Sequence, residues 1–135
     1  MPIFSSLAPG FTILDDATSS SVLTVPPGTW RRFLDLQVNL GSLTHQFFTD
    51  LDFLLVAPNG ANLEFWSDAG GSTTFSNANY TISDSAASVL PAQPVLTPGT
   101  YRPSDYGPPE TSSNWSGLSP GLIINHPAPT GTAAA

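Results

Sequence analysis

The chain has 135 residues, a length that suits one domain with a real core. Ten acidic residues face three arginines and no lysine, a net charge of −7 that repels a phosphate backbone and an anionic membrane surface. There is no cysteine, which excludes disulfides, thiolate metal sites and Cys nucleophiles, and no run reaches the ~18 apolar residues of a membrane span.

Charged residues make up 10% of the chain, against the ~25% of an ordinary soluble domain; Ser, Thr, Asn, Gly and Pro take their place. A surface wetted by hydroxyls and amides suits secreted or cell-surface β proteins. The opening, "MPIFSSLAPGF", has neither a basic start nor a long apolar stretch, so it does not read as a signal peptide. If the protein is exported, the expectation is that this chain is a piece of something longer.

Fourteen prolines and eleven glycines punctuate the chain every few residues, which predicts an all-β fold. "SSVLTVPPG" (20–28) alternates briefly and stops at a Pro-Pro-Gly turn. "WRRFLDLQVNL" (30–40) puts Leu34, Leu36, Val38 and Leu40 on one face of a half-buried strand. "DLDFLLVAP" (50–58) becomes apolar on both faces, as a central covered strand does. "PNG" (58–60) predicts a hairpin with a type I′ turn, and "ANLEFWS" (61–67) pairs back antiparallel. Leu51, Phe53, Leu55 and Leu63 join the predicted core. "ANYTISD" (78–84) is a further strand. From Leu90 onward, where nine of the fourteen prolines lie, the expectation is extended loop, with "GLII" (121–124) the only strand-like piece.

Several groupings carry candidate chemistry. His45, Asp50 and a serine can be drawn as a triad, but there is no G-x-S-x-G elbow, and a triad is defined by geometry. Asp50 and Asp52 share a strand face, as glycosidase carboxylates can; solvent-facing trim is the plainer reading. Loops carrying Asp50, Asp68 and Asp84, with Asn77 or Asn79, offer the oxygen ligands that a hard cation takes, though without EF-hand spacing. Trp30, Phe65, Trp66, Tyr80, Tyr101, Tyr106 and Trp115 can stack on a glycan or simply fill a core. His126, in the Pro-rich tail, suggests nothing. "NYT" (79–81) and "NWS" (114–116) fit the glycan-acceptor pattern.

"THQFFTDLDFLLVAPNG", "SDAGGS", "TISDSAAS" and "LTPGTYRPSDYG" follow one another in an order and spacing that resembles the P domain (P/Homo B domain) of proprotein convertases and related bacterial proteins. The resemblance covers about 11–107. It implies a jelly-roll β-sandwich of the galactose-binding-domain-like type. It further implies an exported, non-catalytic accessory or interaction module, located outside the cell or on its surface. The implied partner is a subtilisin-like protease or another domain of the same parent protein, whose stability or calcium response the module tunes. By motif position Asp50 matches the Asp of the Asp-Leu strand and Asp84 the acid before the alanines; both are expected ligands of Ca²⁺. His45 matches the His before the strand. The pattern departs from the family where Ser85 replaces a second acid, and where "PAPTGTAAA" stands in place of the closing Trp-containing strands.

The resulting expectation is a lead-in at 1–10, a sandwich at 11–107 that is incomplete at its C-terminal end, and a loop or linker at 108–135. The chain is expected to be no enzyme, to bind no nucleic acid and to insert in no membrane. The alternative is a carbohydrate-binding β-sandwich module, with a glycan or protein surface as partner.

Overall fold

The computed structural model describes residues 3–6, 10–28, 36–92, 95–119 and 121–126. Six strands and one 3-10 turn make up its regular structure: β1 (Gln37–His45), the turn (Phe48–Asp50), β2 (Phe53–Val56), β3 (Asn62–Ser67), β4 (Phe75–Ser83), β5 (Gly99–Tyr101) and β6 (Ser104–Asp105). They form two three-stranded mixed sheets in a sandwich-like arrangement, one ordered β1-β4-β5 and the other β2-β3-β6. The fold is all-β. No described helix is long and apolar enough to cross a membrane.

The hairpin at the centre of the sequence forms as its alternation predicts. β2 and β3 pair antiparallel, with Phe53 opposite Trp66 and Val56 opposite Asn62. The turn differs from the expected type. A two-residue loop at Asn59-Gly60 needs an N–H from position 58 to donate back to Ala61, and Pro58 has none. The Gly60 N–H instead donates to the Ala57 carbonyl at 2.9 Å, and Gly60 takes φ +87, giving a three-residue loop with a left-handed glycine. β2 is an edge strand rather than a central one; the central strand is β3.

The first sheet is built on the long β1/β4 ribbon, from Gln37 opposite Ser83 to His45 opposite Phe75. Its register breaks between Leu40 and Leu43, where Ser42 is left-handed at φ 55 and its N–H is held by Asn79 Oδ1 at 3.0 Å. β5 and β6 add in parallel, to β4 and β3 respectively. Both come from the stretch expected to be loop. They are two or three residues long, too short for alternation to reveal.

Other sequence expectations change. Ser20–Gly28 joins no ladder, and Val22 is 83% exposed. The strand expected at 30–40 lies outside the described residues up to position 35, so nothing follows for Trp30 or Leu34. Its remainder opens β1, but Leu36 is 54% exposed and not core. "GLII" is not a strand, although Ile124 is buried.

The core is aromatic. Trp66 meets Phe48, Phe53 and Tyr80 edge-on, at centroid distances of 5.7, 5.7 and 5.4 Å. Each such edge-to-face pair is worth ~0.5–1.5 kcal/mol beyond the area it buries. Leu43, Leu51, Ile82, Leu90 and Leu96 pack around them. Gly70 closes one side at φ +91; a Cβ there would lie 2.8 Å from Phe48 Cβ, so only glycine allows the approach. Between the sheets, Leu63 and Phe65 line a small void of about 60 Å³ with Val38, Leu55 and Ile82. That contact fixes which face of β3 points inward.

Candidate metal centre

Glu64 stands between Leu63 and Phe65 on β3. Side chains alternate along a strand up to the register shift opposite Phe53–Leu54, which turns Trp66 back into the core; with Leu63 and Phe65 facing the sandwich interior, Glu64 leaves by the opposite face. Yet its exposure is 0%. The cover comes from the stretch 121–126. The Glu64 N–H donates to the Asn125 carbonyl at 2.9 Å. One residue pair back, Asn62 and Asn125 lock together: the Asn125 N–H donates to Asn62 Oδ1 at 3.1 Å, and Asn125 Nδ2 donates to the Asn62 carbonyl at 2.7 Å. Asn62 Nδ2 also donates to the Ile123 carbonyl at 3.2 Å. The stretch 123–126 is thereby laid along β3, and His126 is delivered beside Glu64.

Asp105 arrives from β6, which pairs with β3 at Trp66–Ser104 and Ser67–Asp105. His126 Nδ1 is 2.6 Å from Glu64 Oε2 and 3.2 Å from Asp105 Oδ2. One donor atom from each of the three residues lies within 4.8 Å of the others, so the cluster is able to coordinate a metal ion. Neither close contact has hydrogen-bond geometry: His126 Nδ1, both Glu64 oxygens and Asp105 Oδ1 are buried without a hydrogen-bond partner among the described residues. The other ring nitrogen, Nε2, lies 3.2 Å from the Glu110 carbonyl. A carbonyl only accepts, so Nε2 carries the proton in that bond. The ring is thereby oriented with Nδ1 toward the carboxylates, a common arrangement of metal-bound histidines.

The surroundings are strongly acidic. Burial, then Asp52, Asp105, Glu110 and Asp68, push the Glu64 carboxyl up to about 8. Burial also raises Asp52, with Asp68 and Asp105 adding to the rise and the Ser67 hydroxyl opposing it. Burial raises Glu110 as well, followed by Asp52, Asp68 and Asp105, while His126 lowers it. Arg102, the one arginine among the described residues, pairs with none of these acids. A buried carboxylate without a counter-charge is costly; a cation relieves it directly.

The sequence-predicted ligands lie elsewhere. Asp50 ends the 3-10 turn and lines a groove of about 500 Å³ with Asp15, His45, Phe47 and Phe75. Asp84 follows the last residue of β4 and borders the void between the sheets. Phe75 and Ser83 are the two ends of that nine-residue strand, which at ~3.3 Å per residue separates them by roughly 26 Å. The structure therefore does not bring Asp50 and Asp84 to one ion. Of the acids singled out from sequence, Asp52 and Asp68 do reach this cluster, since both add to the field at Glu64. His45 Nδ1 lies 2.7 Å from the Phe47 carbonyl in its own turn, and no hydrogen bond joins it to Asp50. Phe65, Trp66 and Tyr80, weighed as a glycan platform, are core side chains.

Glu64, Asp105 and His126 were not legible as a set. Glu64 alone carried a signal, as a charge between Leu63 and Phe65 on an apolar strand. Its partners are dozens of residues downstream in a Pro-rich stretch. Compared with family models, curated proteins and solved structures, the chain matches none of them.

Proposed function

We propose that the chain is a non-catalytic accessory module of an exported multidomain protein, a β-sandwich held closed by a cation at Glu64, Asp105 and His126. One observation carries this reading. The three donors come from β3, β6 and the last described stretch, and they meet under cover, with Glu64 wholly buried. Because the donors belong to three separate stretches of chain, an ion held by them ties those stretches together, and its binding energy adds to the stability of the fold. A site made this way fastens the stretch 121–126 to the sandwich.

The resemblance to convertase P domains supplies the context: a sibling domain of the same parent, such as a protease, carries any catalysis, outside the cell or on its surface. The test has two arms. The purified chain gives no turnover in a peptide-hydrolysis assay, and a chelator lowers its melting temperature. Turnover blocked by a serine-directed inhibitor overturns the non-catalytic part. A melt indifferent to chelation and to every added divalent ion overturns the clamp.

A further inference from the structure

The donors at the cluster are of two kinds, two carboxylates and an imidazole. An acidic cluster alone is common on protein surfaces and binds nothing. Here Glu64 is wholly buried, and its Oε1 has no hydrogen-bond partner among the described residues, yet it belongs to a side chain whose other oxygen touches His126. A simple imidazolium–carboxylate pair would align an N–H with an oxygen. These contacts are close but not so aligned. Ligands of a shared ion point at the ion rather than at one another, which leaves that signature.

Donor chemistry then selects among cations. Ca²⁺ and Mg²⁺ take oxygen ligands, six or more of them, and rarely an imidazole. Zn²⁺ and its first-row neighbours accept imidazole and carboxylate together. Spacing agrees: a tetrahedral ion with bonds of ~2.0–2.1 Å holds its ligands ~3.3 Å apart, and Asp105 Oδ2 stands 3.2 Å from His126 Nδ1. Glu64 Oε2, at 2.6 Å, has to move outward by a fraction of an ångström. Two further features belong to such a site. Nε2 of His126 is engaged by the Glu110 carbonyl, which sets the ring. Asp52, Asp68 and Glu110 supply negative potential around it.

We infer that Glu64, Asp105 and His126 form a site for a borderline first-row divalent ion, Zn²⁺ before Mn²⁺ and both before Ca²⁺, which fastens the stretch 121–126 to β3. The inference rests on the proposed clamp and names its ion. It differs from the calcium expected from sequence in both ligands and metal class.

The test uses the full chain, stripped by a chelator and exchanged into metal-free buffer. Zn²⁺, Mn²⁺ and Ca²⁺ are titrated singly by calorimetry, with native mass spectrometry for stoichiometry. Co²⁺ serves as a coloured stand-in for zinc. The expected result is one Zn²⁺ per chain, at least about tenfold tighter than Mn²⁺ or Ca²⁺, and a visible Co²⁺ band. His126→Ala and Glu64→Gln lose both, while circular dichroism shows each variant still folded in the absence of metal. Should either variant fail to fold, the competition between Zn²⁺ and Ca²⁺ on the unaltered chain decides. Ca²⁺ binding as tightly as Zn²⁺, or surviving His126→Ala, overturns the assigned metal class but leaves a cation-clamped module standing. Zn²⁺ binding that survives both variants overturns the assigned site. No binding of any ion overturns the site and the clamp together, without touching the non-catalytic reading.

Discussion

Tyr80→Phe is the sharpest test of how the core is built. Tyr80 is 1% exposed, and its ring meets Trp66 edge-on at 5.4 Å and Phe48 at 5.6 Å. Its hydroxyl has no hydrogen-bond partner among the described residues. A buried hydroxyl left unpaired costs ~1–3 kcal/mol, and phenylalanine removes it while keeping the ring contacts. The variant should therefore be more stable than the parent by about that amount at pH 7. The same burial, followed by the effect of Tyr101, pushes the phenol from 10.0 up to about 12. A neutral acid whose folded value is raised contributes its stability fully below the unfolded value and loses it on the way up to the folded one. The parent should thus lose roughly 2–3 kcal/mol between pH 10 and pH 12, since each unit is worth about 1.4 kcal/mol. Tyr80→Phe should not show this component. Urea midpoints at pH 7 and at steps from pH 10 to 12 measure both effects. Destabilisation by more than about 1 kcal/mol at pH 7 would mean that the hydroxyl is paired. An alkaline slope identical in parent and variant would mean that Tyr80 does not titrate there.

Other substitutions test other parts of the structure. Gly70→Ala combines a left-handed backbone at φ +91 with a methyl 2.8 Å from Phe48 Cβ; it should cost ~2–4 kcal/mol in a denaturant melt. A change under about 0.5 kcal/mol would place Phe48 elsewhere. Asp50→Asn and Asp84→Asn remove exposed charges at opposite ends of β4. Each should shift stability by no more than ~0.5 kcal/mol, and neither should alter the response of the melt to Zn²⁺ or chelator. Trp66→Ala should cost ~3–5 kcal/mol, given contacts to three other rings. Retained stability in that variant would contradict the aromatic core.

Period-two alternation made β3 and β4 legible, because each lays one apolar face on the sandwich interior; β2 showed as a run apolar on both faces, which suggested a central strand where the structure has an edge. Leu63 and Phe65 against Leu55 is such a case. The same pattern misled at Ser20–Gly28, where alternation without a partner strand yields an exposed stretch. Asn59-Gly60 gave the hairpin its place but not its geometry, because Pro58 has no N–H to donate across a two-residue loop. β6 was invisible: two residues after Pro103 carry no period. The metal cluster failed for a different reason. Glu64 was not singled out from sequence, since a charge beside the core residue Leu63 reads as an ordinary solvent-facing strand position. Its burial depends on Asn62 gripping Asn125, 63 residues away, and no local pattern reports a contact of that range. A histidine in a Pro-rich tail offered no period to read.

Anomalous diffraction from a crystal grown with Zn²⁺ and collected across the zinc edge would bear most directly on what fastens this fold. A single strong peak is expected among Glu64, Asp105 and Nδ1 of His126, at ~2.0–2.2 Å from each donor. A peak at Asp50 or Asp84 instead would contradict that, as would a peak-free cluster in which Nδ1 donates a straight hydrogen bond to Glu64.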